Sequence, residues 1–188
     1  MNIVEKIKKI VEQACKKETN ISGYRAWFDH VLPTAKYAKL LAKKIGADEE
    51  VVEIASLLHD YAGIVSKDMY PEHHTHGARL AGEILEKYHY PKEKIEMIKH
   101  CIYAHRASQK IPRETKEAEI VANADGMAHF DNVTGLLYLA YARYKMDTDN
   151  GKKWVLDKLA RSWKKLTPEA KEMIEDKYDA IKKVLSNK

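Results

Sequence analysis

Apolar residues recur at every third or fourth position along most of this chain. Near the start, Ile3, Ile7, Val11 and Ala14 share one helix face, and this pattern predicts an amphipathic helix over residues 2–17. Eight later segments repeat the spacing, whereas no segment of useful length alternates with period two. The hydrophobic pattern therefore predicts an all-α protein.

Capping residues sharpen the bounds of the later helices. Gly46 is a typical end for the second helix, Asp48 is a typical N-cap for the third, and Thr75 is a candidate cap for the fourth. Pro33 lies inside the second predicted helix, where we expect a kink or a late start. The predicted spans are about 25–45, 48–60, 77–88, 91–106, 118–125, 136–144 and 154–163, with a last helix that begins at Thr167-Pro168-Glu169.

Two segments lack helical periodicity. Residues 61–74 contain Gly63 and Pro71, and residues 108–115 contain Pro112. Because glycine and proline interrupt helices, we predict that both segments are loops. We expect both loops to border the functional site and to contribute to substrate specificity.

The composition fits one domain with a substantial core. Of 188 residues, 45% are hydrophobic and 32% are charged, and we predict a motif-bearing core over about 25–135 with the helices of about 136–186 packed on it. The formal net charge of +5 permits an anionic substrate without requiring one. We expect the lysines after Gly151 to form a solvated helix face.

The first residues and the cysteines bear on the cellular compartment. Residues 1–6 are charged from the start, without an apolar signal region, and no apolar run is long enough to span a bilayer. Cys15 and Cys101 lack a Cys-x-x-Cys spacing and are interpreted as free thiols in a reducing compartment. We therefore predict a soluble cytoplasmic protein without a membrane partner, and the sequence is compatible with an oligomer.

The pair His59-Asp60 ends an apolar helical run that begins at Val51. Polar groups at the end of a buried helix need partners, because an unpaired buried charge is costly. His30 and Asp125 supply a second imidazole and a second carboxylate. Two nitrogen and two oxygen donors suit a divalent cation such as Mn, Fe, Co, Ni or Mg, with water completing the coordination.

The order His30, His59-Asp60 and Asp125 resembles that of the HD-domain metal-dependent phosphohydrolases. Several local contexts fit the same family: Ala55-Ser56-Leu57-Leu58-His59-Asp60, residues 76–85, residues 98–106 and Ala122-Asn123-Ala124-Asp125. The resemblance covers more than half of the chain. It implies an HD-domain helical bundle in which these two histidines and two aspartates bind the metal.

Further site residues follow from the resemblance. Family members with two metals carry extra histidines between the His-Asp pair and the last Asp, and His76 and His105 resemble these positions. They are expected to hold a second cation or to contact the phosphate of the substrate, and the single-metal form is preferred here. Arg106, which directly follows His105, would stabilise the phosphoryl group together with these histidines. Asp60 or a nearby acid would help to take the proton of water, although the sequence assigns no general base.

Arg79, Arg106 and Arg113 are candidate phosphate clamps, because a guanidinium group matches phosphate oxygens in a bidentate way. Arg106 is the best of these candidates, because it adjoins His105. Arg113 and Lys110 lie in the second predicted loop, which can close over the site.

This chain departs from the common family pattern beside the predicted ligands. Tyr61 follows the His-Asp pair, where many relatives have a small or aliphatic residue. His129 stands four residues after Asp125, where relatives often have a second acid, and a buried or surface histidine is the preferred interpretation of it. The remaining histidines are predicted to lie in the solvent (His73, His74) or to be structural (His89, His100).

The resemblance implies hydrolysis of a phosphate ester or anhydride in a small nucleotide-like molecule. One alternative is an HD-fold enzyme with oxidative chemistry at a di-iron site. Another is a helical module without catalytic activity that binds RNA or protein through its basic C-terminal helices. Nucleic acid is a less favoured partner than a small phosphorylated substrate, because such a module has no need of four metal donors.

Overall fold

The described part of the chain is almost entirely helical. In a computed structural model, residues 1–20, 22–106 and 111–186 are described, and within them the chain forms ten α-helices and no β-strand. The α-helices are α1 (Ile3–Cys15), α2 (Leu32–Ile45), α3 (Glu49–Leu58), α4 (Tyr61–Val65), α5 (His73–Lys87), α6 (Lys92–Ala104), α7 (Lys116–Asp131), α8 (Val133–Tyr138), α9 (Thr148–Lys165) and α10 (Pro168–Leu185). The prediction of an all-α fold is confirmed.

Helix α3 lies at the centre of the bundle, because its sequence is almost wholly apolar. Every residue from Val51 to Leu58 is buried. Helices α1, α2, α6 and α7 pack around it, and the buried side chains form one continuous cluster that extends from α1 to α10. Each fully buried aliphatic side chain contributes about 1.5–3 kcal/mol. The end of α3, where His59 and Asp60 stand, is therefore firmly held.

Glu53 is the one charged residue in this buried part of α3, and it is 8% exposed. A buried carboxylate is costly without partners. Glu53 pairs with Lys8 of α1, whose Nζ lies 3.1 Å from Oε1, and with Lys39 of α2, whose Nζ lies 2.9 Å from Oε2. The two ion pairs tie α1 and α2 to the central helix.

Several predicted helix ends are confirmed by their caps. The Asp48 carboxylate accepts hydrogen bonds from the backbone N–H groups of Glu50 and Val51, both at 3.1 Å. Gly46 ends α2 with a φ of 73°, a left-handed conformation that favours glycine. Thr167 caps α10 by accepting a hydrogen bond from the N–H of Ala170 at 3.4 Å.

The kink expected near Pro33 is a π-helical turn, Trp27–Val31, that precedes α2. Pro33 itself lies in the first turn of α2, where its missing N–H is tolerated. The turn is wide, because the N–H of Leu32 bonds to the carbonyl of Trp27, five residues earlier. A second π-helical turn, Leu139–Arg143, continues α8, so the helix predicted over 136–144 is divided in two.

The prediction that residues 61–74 form a loop is wrong. They form α4, a 3-10 segment over Lys67–Glu72 and the first turn of α5. Thr75 is not a cap, because α5 already begins at His73. Gly63 and Pro71 misled the prediction: Gly63 leaves room for the ring of Tyr70, which would lie 3.0 Å from an added Cβ, and Pro71 is tolerated in the short 3-10 segment.

Helices α9 and α10 pack against α7 and close one side of the bundle. Helix α9 extends beyond the predicted span of 154–163 at both ends. Contact between α7 and the segment after α9 is close, because a Cβ added at Gly126 would lie 3.0 Å from Cδ2 of Leu166. Among the helices of the described ranges, none combines the length and the apolar character that crossing a membrane requires.

Candidate metal centre

The His59 ring is oriented by the helix that it follows. His59 is the C-cap residue of α3 and is fully buried, and its Nδ1 lies 2.6 Å from the carbonyl oxygen of Ser56. Carbonyls in the last turn of a helix lack an intrahelical partner. Because a carbonyl oxygen can only accept a hydrogen bond, the proton of the neutral ring is on Nδ1. The Nε2 lone pair is therefore free to bind a cation.

Two further histidines use the same arrangement. Nδ1 of His105 lies 2.5 Å from the carbonyl oxygen of Ile102, and Nδ1 of His73 lies 2.8 Å from that of Tyr70. In each case the carbonyl belongs to the residue three positions earlier. Three imidazoles thus have their Nε2 atoms available, and backbone carbonyls fix all three orientations.

Two imidazoles and two carboxylates converge at the end of α3, and we call them the first donor group. Its members are His30, His59, Asp60 and Asp125. Nε2 of His30 lies 3.1 Å from Nε2 of His59, 3.4 Å from Oδ2 of Asp60 and 3.3 Å from Oδ1 of Asp125. Two ligands at right angles, each about 2.1 Å from one cation, lie about 3.0 Å apart. The spacing of the first donor group therefore fits a divalent cation.

Asp60 belongs to a second set of donors as well. Its Oδ1 lies 3.4 Å from Nε2 of His73 and 3.8 Å from Nε2 of His105, and these two nitrogens are 3.3 Å apart. Asp60, His73 and His105 form the second donor group, whose ligand atoms all lie within 4.8 Å of one another. The two oxygens of Asp60 thus face different groups, a geometry that suits a carboxylate between two cations.

His129 adds another nitrogen beside the first donor group. It lies one turn after Asp125 on α7, and one ligand atom each of His30, Asp125 and His129 fall within 4.8 Å of one another. The rings of His129 and His30 are stacked with centroids 5.5 Å apart. Nδ1 of His129 is buried and has no hydrogen-bond partner among the residues that the structure describes.

The charges of the centre favour ionised carboxylates and protonated imidazoles, because burial of His59 is outweighed by Asp60, which raises the pKa of His59. Burial lowers the pKa of His30, but hydrogen bonds to Asp125 and Asp60 outweigh burial and raise this pKa to about 10. Burial raises the pKa values of both aspartates, but the neighbouring histidines outweigh it and hold both pKa values below the usual range. A cation can take the place of the proton on His30.

Two histidines of the centre are neutral at physiological pH. Burial and the neighbouring His59 lower the pKa of His105 to about 4. Burial also lowers the pKa of His129 to about 3, although Asp125 opposes this shift. Neutral imidazole is the form of histidine that binds a metal.

The donor groups lie at the floor of a cavity of about 350 Å³. Cationic side chains of α9 also line this cavity, namely Lys158, Arg161 and Lys165, with Ser162 between them. Burial and the neighbouring cations Arg161 and Lys165 lower the pKa of Lys158, although Asp125 opposes this shift. The cavity therefore has an anionic floor that can hold cations and a cationic wall that can hold phosphate oxygens.

The structure brings most of the predicted site residues together. His30, His59, Asp60, Asp125, His105 and Arg106 all belong to the donor groups or line the cavity. Arg106 also donates a hydrogen bond to the carbonyl oxygen of Pro71, which fixes the guanidinium beside the 3-10 segment.

Three predicted residues lie elsewhere. His76 belongs to neither donor group and does not line the cavity, and His73 stands where His76 was expected. Arg79 is exposed and pairs with Glu83 at 2.5 Å. Arg113 pairs with Glu119 at 3.0 Å. Lys110 lies outside the described residues.

Several residues of the site were missed or misassigned. The prediction that His73 and His74 are solvent-exposed is wrong, because His74 is buried and the side chain of His73 is only 12% exposed. The prediction that the lysines after Gly151 form a solvated face is wrong for Lys158, which faces the cavity. A signal was available, since Lys158, Arg161 and Lys165 follow one another by three and four positions and so share a helix face.

The chain is similar to known proteins at both the sequence and the fold level. The family profile described as HD domain matches residues 27–128. An uncharacterized protein of Clostridium beijerinckii is 32% identical over 79 residues, which are 41% of this chain and 50% of that protein. The chain thus spans about half the length of this relative.

Two solved structures share the fold over nearly the whole chain. Bacillus subtilis YpgQ in complex with ADP has a TM-score of 0.72 at 18% identity and covers 97% of this chain and 94% of that one. A predicted HD superfamily hydrolase from an uncultured Thermotogales bacterium has a TM-score of 0.62 at 20% identity, with 99% and 96% covered. At these identities the likeness shows the fold.

Proposed function

Because the chain belongs to the HD-domain family, we propose that it is a metal-dependent hydrolase that cleaves a phosphate ester or anhydride in a small nucleotide-like molecule. The observation that carries the proposal is the convergence of imidazole and carboxylate donors at the floor of a cavity that basic side chains of α9 also line. A cation on one side and basic side chains on the other would hold a phosphoryl group between them.

The first donor group would hold the cation. A divalent cation bound there lowers the pKa of its water and polarises a phosphoryl oxygen. Asp60 and Asp125 are ionised, and the Nε2 lone pair of His59 is available because Nδ1 donates to Ser56. These residues therefore fit the cation without a change of side-chain orientation.

The second donor group supports a second cation more strongly than a phosphate contact alone. His73 and His105 have the same carbonyl-fixed tautomer as His59, with Nε2 unprotonated when the ring is neutral. A neutral Nε2 accepts hydrogen bonds and cannot donate one to a phosphate oxygen. We therefore propose that Asp60, His73 and His105 would hold a second cation, in place of the single cation that the sequence indicated.

The cationic wall would bind the phosphate oxygens and the leaving group. Arg106 and three basic residues of α9 (Lys158, Arg161 and Lys165) line the cavity. Charge-assisted hydrogen bonds from such groups stabilise negative charge that develops during phosphoryl transfer. The structural neighbour from Bacillus subtilis was crystallised with ADP, which makes adenine nucleotides the first substrates to test.

The decisive experiment is a hydrolysis screen with defined metals. The full chain is stripped with a chelator, reloaded with Mn, Fe, Co, Ni or Mg, and assayed with nucleoside mono-, di- and triphosphates and simple phosphate esters. We expect release of phosphate or pyrophosphate with at least one metal, and loss of this activity on renewed chelation. Metal-loaded protein that hydrolyses none of these compounds would contradict the proposal.

The division of Asp60 between two donor groups also favours a second candidate function, oxidative chemistry at a di-iron centre. Iron-loaded protein is the test, because an oxygenase would consume O₂ together with its organic substrate, whereas a hydrolase would not.

The alternative of a helical module without catalytic activity predicts salt-dependent RNA binding without bound metal. We further propose that the protein is cytoplasmic, and its two buried free thiols support this proposal.

A further inference from the structure

His129 presents a buried nitrogen that the fold does not satisfy. Nδ1 has no hydrogen-bond partner among the described residues, although it is shielded from solvent. A buried polar atom without a partner costs about 1–3 kcal/mol. Because this nitrogen lies beside a cluster of metal-binding donors, a bound group that is not part of the protein would account for its missing partner.

The position of the ring points in the same direction. One ring nitrogen of His129 lies within 4.8 Å of a donor atom of His30 and of a donor atom of Asp125. The ring stacks on His30 with an interplanar angle of 26°, so the two imidazoles lie side by side next to Asp125. His129 also lines the cavity, which gives a ligand or water access to it.

We propose that His129 is a third imidazole ligand of the cation at the first donor group, and that it directs this site towards Fe, Co or Ni rather than Mg or Mn. The inference rests on the metal-dependent activity proposed above. With His129 the ligand set has three nitrogens and two carboxylates, where a second acid at this position would give two nitrogens and three carboxylates. Imidazole suits the later transition metals, whereas carboxylate and water suit Mg and Mn.

The number of ligands follows from this assignment. An octahedral cation has six positions, and the first donor group together with His129 would fill five of them. One position would then be left for water.

The test compares metal affinities of the wild-type chain with those of two variants. His129→Phe keeps a buried ring but removes the donor nitrogens, and His129→Asp replaces the imidazole with a carboxylate. Dissociation constants for Co²⁺ and Mn²⁺ are measured on chelator-stripped protein by competition with a metal-binding dye. The His30→Ala variant identifies the site: the binding event that this variant lacks is assigned to the first donor group. The visible absorption spectrum of bound Co²⁺ reports which ligands the ion has.

We expect His129→Phe to weaken Co²⁺ binding by at least about tenfold and to weaken Mn²⁺ binding much less. Loss of a residue that supports a metal ion typically weakens binding by about 10- to 100-fold. His129→Asp should lower the preference for Co²⁺ over Mn²⁺ further and change the Co²⁺ spectrum. The matched control His76→Phe removes a histidine outside both donor groups and should leave both affinities and the spectrum unchanged.

An unchanged ratio of Co²⁺ to Mn²⁺ affinity in both variants, with an unchanged Co²⁺ spectrum, would overturn the assignment of His129. That result is distinct from failure of the proposed function, which would appear as a wild-type chain that binds neither metal. If His129→Phe does not fold, as judged by circular dichroism, the affinity ratio of His129→Asp decides alone.

Discussion

The two walls of the cavity are built in different ways. The floor carries histidines and aspartates whose orientations are fixed by backbone carbonyls and by one another. The cationic wall carries basic side chains on one helix, and Arg161 and Lys165 among them are exposed. Exposed charges on long side chains are screened by solvent and salt, whereas the partly and fully buried donors of the floor are screened much less.

This difference indicates that the floor serves the chemical step and that the cationic wall serves substrate binding. Preorganised donors at the floor stabilise charge without reorganisation, which is what a chemical step requires. Flexible cations on α9 attract and position an anion, which affects binding more than chemistry. Changes at the floor should therefore alter metal content and kcat, and changes on α9 should alter KM and its salt dependence.

The largest effect is expected from Asp60→Ala, because Asp60 serves both donor groups. We expect a loss of metal from the purified protein and a fall in kcat/KM of roughly 1000-fold, which corresponds to about 4 kcal/mol. Metal content is measured by mass spectrometry and kcat/KM by phosphate release. Asp68→Ala, which removes an exposed aspartate of the 3-10 segment, is the matched control. A metal-free Asp60→Ala protein with full activity would refute the site.

The pH dependence of metal binding tests the electrostatics of the floor. The pKa of His30 is raised to about 10, so the metal-free protein carries a proton on His30 at neutral pH. A cation must displace this proton, and its affinity therefore falls as the pH falls. For one displaced proton we expect affinity to drop roughly 100-fold from pH 8 to pH 6. Calorimetry in buffers of different ionisation enthalpy measures the proton release, and an affinity independent of pH would contradict the assignment.

The same shift has a consequence for the stability of the metal-free protein. A histidine in the unfolded chain has a pKa of about 6.5, well below the value of His30 in the folded state. The protonated ring therefore stabilises the metal-free fold fully below that unfolded pKa, and the contribution is lost as the pH rises towards about 10. Bound metal should remove this dependence, because it replaces the proton.

The double variant Arg161→Gln and Lys165→Gln tests the role of the cationic wall in substrate binding. We expect KM to rise about tenfold, which corresponds to about 1.4 kcal/mol, while kcat changes little and metal content is unchanged. The dependence of KM on salt should weaken as well, because two of the cations that attract the substrate are gone. Lys164→Gln on the same helix, whose side chain does not line the cavity, is the matched control. A fall in kcat with constant KM would place these residues in the chemical step instead.

The smallest effects on the site itself are expected from substitutions of the helix caps, which lie outside the cavity and change the stability of the fold instead. Thr167→Ala removes the cap of α10 and should cost about 1 kcal/mol, and Asp48→Ala removes the cap of α3 and should cost about 2 kcal/mol. Lys94 pairs with Asp48 at 2.9 Å, which adds to the second value. Thermal unfolding measures both. Loss of metal from the Thr167→Ala protein would show that the C-terminal helices help to hold the donors.

The sequence predicted the floor of the site better than its wall. His30, His59, Asp60 and Asp125 stand in a recognisable order, and each lies on a helix or at a helix end that periodicity also predicts. Their approach in space follows from packing of the apolar faces of α2, α3 and α7. Local pattern and global fold agree in this part of the chain, which is why it could be predicted.

The remainder could not be predicted, for identifiable reasons. His73 and His76 differ by less than one helical turn, so choosing between them requires the start of α5, and this start was placed too late. The glycine and proline of residues 61–74 indicated a loop, but tertiary packing makes the segment helical. For α9, a stripe of basic residues has the same appearance whether it faces solvent or a cavity, and only the packing of α9 on α7 distinguishes the two.

The carbonyl groups that orient three of the histidines have a consequence for the evolution of this protein. The acceptors belong to the backbone of Ser56, Tyr70 and Ile102, and almost any residue supplies the same oxygen. Substitution at these positions can alter packing without changing which ring nitrogen is presented. The orientation of the imidazoles is thus protected from most point mutations, and neighbouring sequence can diverge while the metal-binding chemistry is inherited intact.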